Sequence, residues 1–527
     1  MTRTRVSAIS NLKVLVFHGY LLRGTGSNVY NASLAQALAR LGHEVHLLCQ
    51  DREAGSLPWV DGVGKWREGD LHLESAASGS PEREGGGSVT VYLPEIGGVL
   101  PVYVFDRYEG FTVKTFAELS DEELDAYLEA NVGAVRDVAA AIGGADAGLA
   151  NHLVMGPVVL ARAGLAFAAK IHGSALEFTV RPGPARFLPF AREGIDAAAG
   201  VLVGSRHTAE RLWETLEDAD LPARTRLGPP GVDTELFAPR PPPEATAGVR
   251  ELAADISAED RAEDWGRDSR SAAAALERWA AAEGPRVVFV GKLIASKGLD
   301  LLLGAWPLVV RENPGARLLV VAFGAEAATV ERLLAALEAG DVGAAREIAA
   351  RGMVTVESEP IPLRMLDRFL AAAGATYADA ARAASGSVSL AGRLEHDEVA
   401  RVLPAADAMV VPSTFPEAFG MVAAEAAACG AIPVCADHSG LREVSRALAP
   451  ALPAGVGELL SFPLGDRAVE EIADRINRSM ALEPELRQRV GQGLSARVRE
   501  LWSWERVAEG VLAASAGRVD DLPRVPE

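Results

Sequence analysis

A chain of 527 residues with 52 Lys and Arg against 72 Asp and Glu carries a formal charge of −20; at about 150 residues per domain it holds two to three domains. With 49% apolar and 24% charged residues it has the profile of a soluble globular protein with sizeable cores, and its acidity speaks against broad nucleic-acid binding, which relies on Lys and Arg. Cys49, Cys429 and Cys435 are too few and too scattered for a disulfide framework or a structural zinc site, which fits folding in a reducing cytoplasm.

Residues 1–10 lack an apolar signal region, and no stretch reaches the ~18–20 apolar residues of a spanning helix. The expected location is cytoplasmic, with peripheral membrane contact left open. Val14 to Phe17 reads as a buried strand, followed by a loop from His18 to Gly26, a helix from Asn28 to Leu41, and a second strand at Val45 to Leu48. This β–loop–α–β start opens a doubly wound α/β domain. Residues 52–88 are rich in Gly, Ser and charge and read as a long irregular excursion. Further strands are expected at 89–93, 147–150, 167–171 and 199–203, with helices at 120–142 and 207–217.

The turn cluster Gly228-Pro229-Pro230-Gly231 and a proline run at 239–243 mark a junction. Residues 244–283 are Ala-rich and charged, and read as partly exposed helix. A second α/β alternation starts at Val287 to Val290, with strands expected at 317–322, 387–391, 408–411, 432–435 and 458–461 and a terminal helical stretch over 484–515. The expected division is an N-terminal Rossmann-like domain over 1–235, a charged helical linker or insertion over 236–284, a second Rossmann-like domain over 285–483 with a helical insertion at 325–386, and a terminal helix and tail over 484–527 returning toward the first domain. Ligands of such domains sit at the carboxyl ends of strands, here in a cleft between two similar domains.

Four places could carry chemistry. Gly24-Thr25-Gly26-Ser27-Asn28-Val29 is a partial dinucleotide fingerprint, with Asp51 at the end of the second strand. Six residues separate the strand from the first Gly, whereas a dinucleotide turn follows its strand at once. The loop reads instead as amides at a helix N-terminus facing an anion, or as an ordinary turn. The second place is Gly291 to Gly298. Here Ser296 suits a helix N-cap, and Lys297 in a first turn opposes the helix dipole unless an anion binds. Lys292 and Lys297 together suit a diphosphate.

The third place is Pro416 to Gly430. A helix is expected from Phe419 to Gly430, apolar almost all round, with Glu425 as its one charge. A buried carboxylate needs a partner, and ribose hydroxyls or a structural ion pair would serve. Glu417 stands just before the helix, and the amides of Phe419, Gly420 and Met421 are orphan donors at its start. The fourth is His172, at a strand's carboxyl end ahead of Gly173. Asp218-Ala219-Asp220 reads as a solvated face rather than a metal site, Cys429 and Cys435 as buried core, and Trp502 and Trp504 as packing of the terminal helix.

With these residues in hand, the chain resembles the retaining glycosyltransferases of family 4, of the bacterial group 1 type, with the GT-B fold. The family's Glu-x₇-Glu signature is Glu417 to Glu425, its wider context is matched by Pro412 through Gly430, and its basic pair is Lys292 and Lys297. Lys292 departs from the family's usual Arg, which keeps the charge but loses the bidentate fork. Pro230-Gly231-Val232-Asp233 with Phe237 matches the crossover into the second domain, and Gly26 to Tyr30 resembles members acting on sugar or inositol phosphates. The resemblance implies an α/β GT-B architecture of two Rossmann-like doubly wound domains facing across a cleft, an N-terminal domain for the acceptor and a C-terminal one for a nucleotide diphosphate sugar. It implies that Glu425 holds the ribose, Lys292 and Lys297 the diphosphate, and Glu417 with the Phe419, Gly420 and Met421 amides the sugar. Gly26, Ser27 and Asn28 would line the substrate site, and His172, Glu417 and Lys297 would be the catalytic set. The reaction would be a metal-independent hexosyl transfer with retention to a small-molecule, glycan or lipid-linked hydroxyl, with no cofactor and no nucleic acid. An epimerase or hydrolase would instead consume donor alone, a binding protein would show no turnover, and a dehydrogenase would bind a nicotinamide.

Overall fold

The computed structural model describes residues 11–24, 26–76, 86–103, 110–258, 267–354 and 359–526. Thr25 of the glycine loop, residues 77–85 of the expected excursion, 259–266 of the expected linker and 355–358 of the expected insertion lie outside the described residues. The chain divides into two compact units, Met1–Gly231 with Trp502–Glu527, and Val232–Leu501.

Unit 1 contains β1 (Lys13–Phe17), β2 (Glu44–Leu48), β3 (Gly62–Arg67), β4 (Asp70–Ser75), β5 (Ser88–Leu93), β6 (Val99–Val102), β7 (Thr112–Thr115), β8 (Ala147–Asn151), β9 (Ala168–Ile171), β10 (Gly200–Val203) and β11 (Thr225–Leu227). Nine of these form one sheet in the order β11-β10-β9-β8-β1-β2-β5-β3-β4, while β6 and β7 pair separately. All neighbours in the large sheet are parallel except β3 and β4. Strands buried on both faces read as continuous apolar runs, and β1 shows why: Leu15 and Phe17 enter one core, Val14 and Val16 the other. Trp504, Ala508, Val511 and Ala514 of the helix Trp504–Ser515 pack into that second core. Their burial is what holds the end of the chain in unit 1.

The expected irregular stretch 52–88 is corrected by the β3–β4 hairpin. Its turn is Glu68-Gly69, both at positive φ, the requirement of a two-residue hairpin turn. Leu71 and Leu73 alternate with Asp70, His72 and Glu74, a period-2 pattern diluted by the charge of an edge strand.

Unit 2 contains β12 (Arg286–Lys292), β13 (Arg317–Phe323), β14 (Val388–Gly392), β15 (Ala408–Val411), β16 (Ile432–Ala436) and β17 (Ser461–Phe462). They form a parallel sheet in the order β14-β13-β12-β15-β16-β17. The expected strand at 458–461 is instead a short helical turn, Gly457–Leu460, leading into β17.

Within 244–283 the described residues form the expected helices, Pro242–Ala258 and Ser269–Ala280, each with one exposed face, and both fall in unit 2. The two helices pack on each other, and the second packs on β13 and β14. Ala272, Ala275, Leu276 and Trp279 form its buried stripe, and Trp279 Nε1 donates to Val287 O at 3.2 Å. Alanine gives this stripe too little bulk to stand out in the composition. Among the described residues, 325–386 carry four helices, Ala327–Glu338, Val342–Arg351, Arg364–Ala372 and Ala375–Ala383. The terminal stretch is two helices, Pro484–Trp502 and Trp504–Ser515, broken at Ser503, which caps the second by accepting from Arg506 N at 3.4 Å.

Candidate active site

In unit 2 the site grows from two loops at the carboxyl ends of adjacent strands. β12 runs into a short turn, Ala295–Lys297, and the following helix is Leu299–Glu312. The N-cap position is Gly298, not Ser296 as the sequence suggested. Gly298 has φ of 67°, and a Cβ there would stand 2.1 Å from Pro412 O, so two backbones meet where only glycine fits. Thr414 N donates to Ser296 O at 2.8 Å, tying the loop after β15 to the same turn.

The helix of the signature segment is Met421–Ala428, two residues later than expected. Gly420, at φ of 119°, stops the helix extending back to Phe419, and a Cβ there would lie 2.6 Å from Leu441. Phe419 is buried ahead of the helix. Met421 begins it, so the early amides still precede the first intrahelical bonds.

This arrangement brings Lys297 and Glu417 together. Lys297 Nζ donates to Glu417 Oε1 at 2.5 Å, and Ser413 Oγ donates to the same oxygen at 2.7 Å. Glu417 N in turn donates to Ser439 Oγ at 2.9 Å. His438 supports both loops: Nε2–H donates to Ser413 O at 2.7 Å, leaving Nδ1 to accept from Ser439 Oγ at 3.0 Å. Burial pushes the Glu417 carboxyl up, but the Lys297 ammonium and the Ser413 hydroxyl outweigh it and hold the group below the usual carboxylate range. Lys292, at the end of β12, is exposed, and its side chain makes no ion pair or hydrogen bond among the described residues.

Glu425 lies eight residues beyond Glu417 and is 4% exposed. Its partner is His396, whose Nε2 lies 2.9 Å from Glu425 Oε1. Burial lowers the His396 pKa, but the Glu425 hydrogen bond and the carboxylates of Glu425, Asp233 and Asp397 bring the net value above that of an ordinary histidine.

In unit 1 a chain of uncharged groups links β1, β8, β9 and the helix Ser27–Arg40. His18 Nε2–H donates to Leu21 O and Asn28 Oδ1, both at 3.0 Å, and Asn31 Nδ2 donates to His18 Nδ1 at 3.0 Å. Asn151 Nδ2 donates to Asn31 Oδ1 at 2.8 Å and to Phe17 O at 3.1 Å. Asn151 Oδ1 then accepts from His172 Nε2 at 2.8 Å. The donors and acceptors fix the tautomers: His172 carries its proton on Nε2, and Nδ1 is a lone pair. Burial, then the neighbouring His152, Lys170 and His18, push the His172 pKa well below the usual value, and burial brings His18 down to about 4.

The helix Ser27–Arg40 starts beside this chain. Gly26 O accepts from Tyr30 N at 3.1 Å, and nothing lies within 4 Å of where a Gly26 Cβ would stand. Asp51, the residue a dinucleotide ribose would need, instead accepts from Leu22 N at 3.2 Å and Glu53 N at 3.1 Å. Asp218 faces Arg224 at 3.6 Å, and all three cysteines are buried.

The structure thus joins Lys297 to Glu417 and His172 to Asn151, and gives Glu425 a partner that the sequence did not announce. Asn31, Asn151, His396, Ser413, His438 and Ser439 were missed. Asn151 had a signal, a polar residue closing an apolar strand at its carboxyl end. His396 had none, being 29 positions from Glu425.

Residues 377–494 match the family described as Glycosyl transferases group 1. This stretch includes Glu417, Glu425 and His396. The chain carries a group 1 glycosyltransferase domain. The glycosyltransferase is 28% identical over 446 residues to a D-inositol 3-phosphate glycosyltransferase of Frankia alni, spanning 81% of this chain and 89% of the relative. Its fold is GT-B: it matches sucrose-phosphate synthase of Thermosynechococcus elongatus with a TM-score of 0.54 at 18% identity, over 95% of this chain and 97% of that one. HepE of Anabaena, solved with UDP and glucose, gives a TM-score of 0.54 at 15% identity over 97% and 100% of the two chains. Among the described residues no helix is long and apolar enough to cross a membrane.

Proposed function

We propose that the glycosyltransferase moves a hexose from a nucleotide diphosphate sugar to a hydroxyl acceptor, with retention at the anomeric carbon and without a metal. The observation that carries this reading is the meeting of Lys297 and Glu417 at 2.5 Å where β12 and β15 end. One cation and one carboxylate at adjoining strand ends suit the two halves of such a donor. Lys297 and the exposed Lys292 bind the diphosphate. Glu417, released from Lys297 by that anion, accepts hydrogen bonds from sugar hydroxyls beside the amides of Phe419, Gly420 and Met421. Glu425 receives the ribose.

Unit 1 supplies the acceptor side. Gly26, Ser27 and Asn28 form an open backbone approach at a helix start, and His172 offers the Nδ1 lone pair to a substrate hydroxyl. In the reaction the bond from the anomeric carbon to the diphosphate oxygen breaks, and a bond to the acceptor oxygen forms on the same face. The acceptor proton leaves with the diphosphate. Fixed cations stabilise the charge developing on that leaving group, which is the role a metal would otherwise take.

The relative from Frankia makes inositol 3-phosphate the first acceptor to try. The test is turnover of UDP-, GDP- and ADP-hexoses in excess chelator, with the configuration of the new glycosidic bond read by proton NMR. An α-linked product from an α-donor in chelator agrees with the proposal. Inversion, or activity only after metal is returned, contradicts it. Donor consumption without an acceptor would favour hydrolysis or epimerisation.

A further inference from the structure

His396 opens the helix His396–Val402, which follows β14. Its ring lies 4.8 Å from that of Phe237, a residue 1% exposed just past the start of unit 2. Its Nε2 meets Glu425 Oε1 at 2.9 Å, and the two side chains differ sharply in exposure, 42% for His396 and 5% for Glu425. His396 is therefore the half-open cover of a buried carboxylate, braced from beneath by an aromatic ring. Glu425 Oε2 accepts no hydrogen bond among the described residues. Holding one oxygen restricts rotation of the carboxylate and leaves the lone pairs of the other oxygen to a donor.

We propose that His396 is a positioning residue for the donor nucleotide: it holds Glu425 Oε1 and so aims Oε2 at a ribose hydroxyl. The inference rests on the donor-site reading above and deepens it. Three carboxylates face the imidazole: Glu425 from its helix, Asp233 from the segment leading to Phe237, and Asp397 from its own helix. They favour a proton on the ring, and the carboxylate acceptor makes the hold on Oε1 a charge-assisted bond. Loss of the imidazole leaves Glu425 free to rotate, and a ligand must then order it on binding.

The test is calorimetric titration of UDP, GDP and ADP, each against the matching 2′,3′-dideoxynucleoside diphosphate, into wild type, His396→Ala and His396→Gln. For the ribonucleotide that wild type binds best, His396→Ala weakens binding about tenfold, the order of one charge-assisted hydrogen bond. His396→Gln, which keeps an N–H near the Nε2 position, recovers most of the loss. For the dideoxy ligand the variants bind as wild type does, because the hydroxyl that reads Oε2 is gone. An equal loss for both ligands would show that His396 acts on the fold, and would overturn the inference while leaving the donor site in place. No loss in either variant overturns it as well. Failure of wild type to bind any of the three diphosphates overturns both the inference and the donor-site reading.

Discussion

The polar clusters of the two units are built on opposite electrostatic plans. In unit 1, His18, Asn31, Asn151 and His172 form a relay of amides and neutral imidazoles. In unit 2, Lys297 pairs with Glu417, and the imidazole of His396 with the buried carboxylate of Glu425. A neutral relay fully satisfied by hydrogen bonds rigidifies and sets tautomers. Paired charges instead stay available to an ionic ligand that can exchange partners with them. The contrast agrees with the proposed division of labour, in which unit 2 handles an anion and unit 1 orients acceptor hydroxyls.

Breaking the charged side should cost most. Glu417→Ala removes the carboxylate that accepts from Lys297 and Ser413 and should lower turnover about 10²- to 10³-fold, the scale for loss of a group that stabilises a transition state. Steady-state rates at saturating donor check this.

Asn151→Leu cuts the neutral relay in the middle. It strands Asn31 Oδ1 and His172 Nε2, and a stranded buried polar group costs about 1–3 kcal/mol. Denaturant melts should show that loss, and a stability change near zero would mean the relay is not a structural unit. His172→Ala, at the end of the relay, should reduce turnover about tenfold or more while leaving nucleoside diphosphate affinity unchanged, which separate kinetic and calorimetric measurements resolve.

A pH comparison sharpens the contrast further. Burial holds the His18 pKa at about 4, so its contribution is present above the ordinary value of 6.5 and is lost as pH falls toward 4. Asp300 in unit 2 is the reverse: buried in the first turn of Leu299–Glu312, its carboxyl is pushed up to about 7. Its contribution is present below the ordinary carboxylate value and lost as pH rises to 7. Asp300→Asn should therefore raise the melting temperature at pH 8 and change it little at pH 4. The smallest effect belongs to Lys292→Ala, about two- to fivefold in donor KM, since an exposed lysine acts through screened water.

Much of both sheets was legible in the sequence because strands buried on two faces are short apolar runs, and β15 falls at the residues expected of it, 408–411. The β3–β4 hairpin was hidden by edge-strand charge, whereas the helix Ser269–Ala280 was legible as a helix but its buried alanine stripe was not. At the site, Lys297, Glu417, Glu425 and His172 could be picked out because each is a polar residue in or beside an apolar element. Their partners could not. Which residue faces Glu425 depends on how the helix His396–Val402 lies against Met421–Ala428, a long-range packing outcome with no local pattern. The helix starts at Gly298 and Gly420 were likewise misplaced because close approaches of the Pro412 backbone and the Leu441 side chain, not capping side chains, decide them.

The most direct test of the donor site in unit 2 is titration of UDP, GDP and ADP into wild type and Lys297→Ala in excess chelator. The account predicts that wild type binds one diphosphate well and that Lys297→Ala, still folded by its melting transition, binds it at least about tenfold more weakly. Equal affinity in the two proteins would contradict it.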